Sequence, residues 1–314
     1  MHIIFCGTPQ FAVPTLERLL AAGFTLDLVV TNPDEPSGRS YERKAPPVKV
    51  AAEKAGLPVF QPAKLKDPTT QELLAKFHPD AIVVVAYGHI IPPWMIELPR
   101  LGSINLHASL LPKYRGAAPI AWALIRGERV TGVTTMKIDA GLDTGGILLK
   151  REVEIRDEDT TETLSDRLSA IGADLMVETL ARLERGEIEP SPQDHALATL
   201  APILKKEDGR IDWSLTAEEI ARRVRGLRPW PVAHTTFRGK TLRIWSAAPA
   251  LSPPESQDAS EHGATIVQCD RLFVACGQST FLEVKEVQLE GRKRLPARDF
   301  VNGVHLASGE KLGR

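Results

Sequence analysis

Two hydrophobic periods alternate along the first half of this chain. HIIFC (2–6), LDLVV (26–30) and DAIVVVA (80–86) are short continuous apolar runs, the pattern of strands covered on both faces. Between them the period lengthens. Leu16, Leu19 and Leu20 recur at helical spacing until Gly23 stops the run. VKVAAEKAG (48–56) and PTTQELLAKF (68–77) read as two more helices. GSINLHA (102–108), GVTTMKI (132–138) and GILLKREVEI (146–155) complete the strands. Leu164, Leu168, Ile171, Leu175 and Leu180 carry a helix from Thr161 to Glu184, with Gly186 as its stop. Strands alternating with helices predict a doubly wound, mostly parallel α/β sheet of Rossmann-like form over residues 1–187.

The pattern then changes. Residues 188–207 have little periodicity and read as a linker. Beyond it, HTTFRG, TLRIWSA, TIVQCD, RLFVACG and STFLEVKEVQLEG are short strands separated by turn residues, preceded by one helix from Thr216 to Arg225. This spacing predicts a small antiparallel β-barrel, OB-like, over 208–314. Residues 250–263 are polar and proline-rich and read as a loop.

Composition adds limits. The chain has 314 residues, of which 43% are hydrophobic, enough for two cores. No run approaches the roughly 20 apolar residues that a membrane span needs, and MHIIFCGTPQF lacks the basic and apolar regions of a signal peptide. Cys6, Cys269 and Cys276 form neither a disulfide framework nor a zinc-binding spacing; they read as buried packing residues in a reducing, cytoplasmic compartment, with no metal site. The net charge of −1 conceals a contrast, since residues 208–314 hold 16 Lys and Arg against 13 Asp and Glu while residues 1–207 hold 23 against 27.

Candidate chemistry collects at a few places. FCGTPQFAV follows the first strand, but it has no GxGxxG and carries Pro9 where a phosphate cradle needs backbone donors, so a dinucleotide site is not expected. Asn105 and His107 share one face at the end of a strand, whose other face is Ile104 and Leu106. An amide and an imidazole side by side can meet one developing oxyanion. The glycine-rich loop DAGLDTGGILL (139–149) can bring a carboxylate to them, and spacing leaves Asp139 and Asp143 both open. Such a trio serves acyl transfer with no nucleophilic side chain; Ser109 lacks the elbow motif of a serine nucleophile.

NLHASLLPKYRGAAP (105–119) together with DAGLDTGGILL resembles the folate-dependent formyltransferases. The resemblance covers nearly the whole chain, through IIFCGTPQFAVPTLERL, PDEPSGR, PVKVAAEKAGLPVFQP, AYGHIIP, DGRIDW, RGLRPWP and ARDFVNG. It implies a catalytic trio of Asn105, His107 and Asp143, the last because it matches the second aspartate of the motif. It implies a folate site lined by Ser109, Leu110, Leu111 and Pro112 and by Tyr87, Gly88, Ile90 and Ile91. The formyl donor would be 10-formyltetrahydrofolate, used as a co-substrate without a metal. Within the family the second domain is similar to that of members that formylate initiator methionyl-tRNA. Arg39 would then touch the acceptor end, and Lys205, Lys206, Arg292, Lys293 and Arg294 the tRNA backbone. Relatives often carry a more lysine-rich run where Ser40, Tyr41, Glu42 and Arg43 follow Arg39. Trp230 and Trp245 read as core residues, with stacking on a nucleic acid as the alternative. A monomer is expected. The family's chemistry also admits another acceptor, the amine of an amino-sugar nucleotide.

Overall fold

In the computed structural model of the chain, residues 1–37, 42–251 and 261–313 are described; Arg39 lies outside them. The chain forms two compact units. The first comprises Met1–Pro119, Val130–Glu154 and Ser165–Pro202, and the second Ile120–Arg129, Ile155–Leu164 and the chain from Ile203 onward.

The first unit is built on a seven-stranded sheet. Its strands are β1 (His2–Gly7), β2 (Thr25–Val30), β5 (Val59–Phe60), β6 (Ala81–Val85), β7 (Ser103–His107), β8 (Val130–Lys137) and β9 (Ile147–Glu154), in the order β5-β2-β1-β6-β7-β8-β9. A separate two-stranded ribbon, β3 (Glu35–Ser37) with β4 (Glu42–Lys44), lies in the polar stretch after β2. The apolar runs of β1 and β6 are buried throughout, because helices cover both faces. On one face, Leu74 of α3 (Pro68–Ala75) and Met95 of α4 (Pro93–Glu97) join Ile4, Cys6, Leu28, Val30, Ile82 and Val84 in one cluster. On the other lie α1 (Val13–Ala21) and the long α6 (Thr161–Glu184), linked by an Arg18–Asp174 ion pair of 2.6 Å and by Ser169 donating to the Phe11 carbonyl at 2.7 Å. The helix α2 (Pro47–Lys54) precedes β5; α5 (Pro119–Ile125), between β7 and β8 in the chain, belongs from Ile120 on to the second unit.

From β5 to β7 the sheet is parallel, whereas β8 runs antiparallel to both β7 and β9. For the β8–β9 pair the reason is loop length. Residues 138–146 are all that separates β8 from β9, too few for the crossover of a dozen or more residues that a parallel pair requires. That short connection is the glycine-rich loop that carries Asp143.

Of residues 188–207, which the pattern predicts as a linker, 188–202 belong to the first unit. Ser191 pairs with Ile147 and Leu200 with Arg115, and Gln193 is buried.

The second unit holds an antiparallel sheet. Its strands are β10 (His234–Phe237), β11 (Lys240–Pro249), β12 (Thr265–Gln268), β13 (Arg271–Ala275), β14 (Phe281–Leu289) and β15 (Leu295–Pro296). The path is β10-β11-β14-β13-β12, with β15 added on β14. The expected barrel differs in its closure: the path ends on β10 and β12, which do not pair with each other among the described residues. The chain end spans that gap. Thr265 N–H donates to the Glu310 carbonyl at 2.8 Å, and Gly313 N–H to the Thr236 carbonyl at 2.8 Å. The helices α7 (Ala217–Gly226) and α8 (Ala297–Val304) cover the sheet, with Ile220, Val224, Phe300 and Val301 in its core. Thr216 caps α7 and Glu219 reaches back to the Thr216 N–H, a reciprocal capping box.

Cys6 and Cys276 are buried as expected, and burial pushes the Cys276 thiol up to about 12. Cys269 is exposed, because it sits in the tight turn between β12 and β13 with φ 51°. No described helix is long and apolar enough to cross a membrane.

Candidate active site

The site begins with the alternation of β7. Ile104 and Leu106 are buried in the sheet, and Leu106 packs so closely on α6 that a Cβ at Gly172 would lie 2.7 Å from it. Asn105 and His107 must therefore face the other side. His107 is buried and Asn105 half-buried. The Asn105 amide has no hydrogen-bond partner within the protein among the described residues.

His107 is held by its two ring nitrogens. Nε2 lies 2.9 Å from the Tyr114 carbonyl oxygen. A carbonyl only accepts, so Nε2 carries the proton. Nδ1 faces the Asp143 carboxylate, 3.6 Å from Oδ2. Asp143 in turn accepts from the Gly116 N–H at 2.8 Å through the same oxygen. The loop reaches this place by doubling back. It leaves β8 with Ile138 N–H on the Ser103 carbonyl at 2.8 Å, and Asp143 then adopts the left-handed conformation, φ 51°.

The geometry separates the two aspartates that spacing left open. Asp139 accepts from Gly141 N–H at 3.0 Å and from Thr144 Oγ1 at 2.7 Å. It closes its own turn, whereas Asp143 meets His107. Gly145 has a different need, since a Cβ there would lie 1.7 Å from the Lys137 carbonyl oxygen.

The loop after β7 is pinned from below. Thr134 Oγ1 donates to the Ser109 carbonyl at 2.6 Å and accepts from Leu111 N–H at 3.2 Å, while Ser109 Oγ donates to the Lys113 carbonyl at 2.6 Å. Lys150 donates to the Leu111 carbonyl. Ser109 and Leu111 thus turn inward; Leu110 and Pro112 are half-buried.

At the neighbouring end of β6, Tyr87 and Ile91 are buried while Ile90 is 87% exposed. Burial raises the Tyr87 phenol above its ordinary range. Gly88, with φ +84°, has open space where a Cβ would stand. The ends of β1 and β6 meet here, where the chain leaves β1 toward β2 and β6 toward β7 in opposite directions, the position at which open α/β sheets bind ligands. Thr8 ties the two together by donating to the Tyr87 carbonyl at 3.3 Å.

The remaining expected site residues lie in the second unit. Lys205 and Lys206 are exposed at a short 3-10 turn, Lys206–Gly209. Arg292, Lys293 and Arg294 form the turn between β14 and β15 and are exposed. Arg294 pairs with Glu286, and its guanidinium lies 4.8 Å from the centre of the Trp245 ring. Trp245 is half-buried, but Trp230, expected in the core, is 55% exposed because Pro229 and Pro231 hold it on a turn after α7. Trp213, which no periodicity marked, is the buried one.

Sequence reasoning also missed Arg115 and Gln193. Both are buried and bond to each other, and Gln193 bonds in turn to the Asp143 loop. Arg115 was visible inside the motif, whereas Gln193 stands in a stretch without any periodic signal.

Comparison with known proteins extends this picture. Residues 1–180 match the family model described as formyl transferase, and residues 203–305 that of the formyl transferase C-terminal domain. The chain is 56% identical, over its full length and 99% of the relative's, to a methionyl-tRNA formyltransferase of Koribacter versatilis. Its fold is similar to that of HypX from Aquifex aeolicus, solved with tetrahydrofolic acid, with a TM-score of 0.64 at 16% identity over 99% of this chain; the chain spans 48% of that protein. An N-formyltransferase from Helicobacter canadensis, solved with folinic acid and dTDP-3-aminofucose, shares the fold with a TM-score of 0.66 at 17% identity, over 90% of this chain and 98% of that one. With both domain models matched in order along a chain whose β7 end carries this Asn-His-Asp arrangement, the protein belongs to the formyl transferase family.

Proposed function

We propose that the chain transfers the formyl group of 10-formyltetrahydrofolate to the α-amine of initiator methionyl-tRNA, acting as a cytoplasmic monomer. The full-length identity to methionyl-tRNA formyltransferases carries the choice of acceptor. The residues at the ends of β6 and β7 fit the donor. A half-buried amide free to donate, an apolar side chain in the open at Ile90 and the uncrowded backbone of Gly88 suit a flat heterocycle with polar edges.

As substrate, 10-formyltetrahydrofolate supplies the formyl carbon: its C–N10 bond is exchanged for a bond to the amine, and one proton moves from the amine to N10. The protein's part is positioning, charge and proton handling. Asn105 presents amide hydrogens where the formyl oxygen gains charge. His107 can take a proton only at Nδ1, because Nε2 already donates to Tyr114. Asp143 then stands opposite that new N–H and stabilises it. Ser109, Leu110, Leu111 and Pro112 wall the donor site, with Ser109 and Leu111 acting from the inside to set the loop's shape. In the second unit, Lys205, Lys206, Arg292, Lys293 and Arg294 give phosphates a basic surface, and Arg39 is assigned to the acceptor end.

The test is incubation with 10-formyltetrahydrofolate and charged initiator tRNA, with detection of N-formylmethionine. The expected result is product from the native chain and almost none from Asp143→Asn. Formylation of an amino-sugar nucleotide with none of methionyl-tRNA would overturn this reading.

A further inference from the structure

Tyr114, Arg115 and Gly116 are consecutive, and the outer two serve one pair of side chains, His107 and Asp143. Tyr114 supplies the carbonyl that fixes His107. Gly116 supplies the N–H that holds the Asp143 carboxylate. Arg115 points elsewhere, into the stretch 193–201. Its Nε and Nη2 donate to Gln193 Oε1 at 3.1 and 2.6 Å, and its Nη1 donates to His195 Nδ1 at 3.2 Å. The other end of the Gln193 amide returns to the site. Nε2 donates to the Asp143 carbonyl at 2.8 Å and to the Gly145 carbonyl at 2.8 Å.

The backbone locks the same stretch in place. Arg115 N–H donates to the Thr199 carbonyl at 2.8 Å, Ala201 N–H returns to the Arg115 carbonyl at 2.8 Å, and Tyr114 N–H donates to Thr199 Oγ1 at 2.9 Å. Gln193 and Arg115 are only 6% and 7% exposed, so these bonds do not compete with solvent.

We infer that Gln193 is a positioning residue of the transfer reaction, one that holds the left-handed Asp143 turn against His107 and couples its geometry to residues 193–201. The inference rests on the proposed roles of His107 and Asp143. The chemistry of position 193 is narrow. It must accept from a guanidinium at one end and donate to two carbonyls at the other, and only a carboxamide does both. A left-handed non-glycine residue such as Asp143 stores strain that its surroundings must hold. Both carbonyls on the Gln193 amide belong to that turn, so its release is the direct consequence of losing the amide hydrogens.

Gln193→Glu separates this role from simple packing. The carboxylate keeps, and charges, the bond to Arg115, so the segment stays docked and the fold is retained. It presents only acceptors to the carbonyls of Asp143 and Gly145. The expected result is a chain that still folds with a lowered thermal midpoint, an unchanged KM for the formyl donor and a kcat lower by roughly 10- to 100-fold, the scale of a misplaced catalytic group. In an Asp143→Asn background the same substitution should add almost nothing, because Gln193 acts through Asp143. Arg115→Lys, which leaves the amide in place but loosens its hold, should give a smaller loss of kcat that also vanishes with Asp143→Asn, and it serves as the readout if Gln193→Glu does not fold. Native kcat in Gln193→Glu, or an equal loss in both backgrounds, overturns the inference. Native turnover in Asp143→Asn alone overturns the site reading beneath it.

Discussion

The Nε2 nitrogen of His107 donates to the backbone carbonyl of Tyr114 across 2.9 Å. A main-chain atom, not the carboxylate, therefore fixes the histidine tautomer. Asp143 faces the opposite nitrogen at 3.6 Å, longer than a hydrogen bond, so its contribution is charge set against whatever proton Nδ1 receives. Every proton step that uses His107 must run through the nitrogen that looks at Asp143.

Replacing Asn105 by Ala or Asp143 by Asn should lower single-turnover formylation by roughly 10²–10³, the usual loss when one preorganised electrostatic partner is removed. Asp143→Asn keeps an oxygen for the Gly116 N–H, so its folded state should be nearly unchanged. Asp139→Asn is the control. Its side chain closes a turn with Gly141 and Thr144, and it should be mild in kcat. A crippled Asp139→Asn beside an active Asp143→Asn would reverse the assignment.

The contrast between these two aspartates shows where the sequence was legible. Strand alternation placed Asn105 and His107 on one face, because a period of two leaves no other outcome once Ile104 and Leu106 are buried. Asp139 and Asp143 share one glycine-rich loop; spacing left both open, the family resemblance pointed to Asp143, and the loop's fold-back sets Asp143 against His107. The antiparallel pairing of β8 with β9 was readable in principle from the shortness of 138–146. Gln193 was not. It lies 50 residues from Asp143 and 78 from Arg115, and its partners are two backbone carbonyls and a guanidinium, none of which leaves a local pattern. The closing of the second sheet by the chain end was hidden for the same reason: residues 309–313 pair through backbone groups that every residue has.

Gly116 should tolerate no side chain. It adopts φ +122°, and a Cβ there would lie 2.6 Å from the Ala201 carbonyl oxygen. Gly116→Ala should destabilise the first unit by on the order of 1–3 kcal/mol, from backbone strain and the displaced 193–201 segment. Chemical denaturation should show a lower midpoint at unchanged slope. A native midpoint would mean that this segment is not held as described.

The chain end should make the second unit sensitive to acid. Glu310 pairs with Arg238 at 2.7 Å, and this bond holds the Glu310 carboxyl below its ordinary range against the opposing effect of burial. A carboxylate with a lowered folded pKa stabilises above its unfolded pKa, and that contribution disappears as pH falls through the folded value. Glu310→Gln should therefore lower the thermal midpoint at neutral pH, and native and variant midpoints should converge in acid below the usual carboxylate range. A gap that persists unchanged at low pH would remove the ion pair as its cause.

The basic turn between β14 and β15 should act unequally on tRNA. Arg294 is already committed, paired with Glu286 and lying over Trp245, whereas Arg292 and Lys293 are exposed at the tip. A side chain that neutralises a phosphate on duplex nucleic acid contributes about −0.9 to the slope of log K against log salt, so Arg292→Ala with Lys293→Ala should flatten that slope by roughly 1.8. Arg294→Ala should flatten it less, since its charge is partly neutralised within the protein, while loosening the β14–β15 turn. The measurement is tRNA binding across a salt series for the native chain, the double variant and Arg294→Ala. Folate binding serves as the check that each chain is folded. A double variant whose slope matches the native one sinks the assignment of these two side chains to the phosphates. A larger effect from Arg294 than from the pair would show that tRNA displaces Glu286 as its partner.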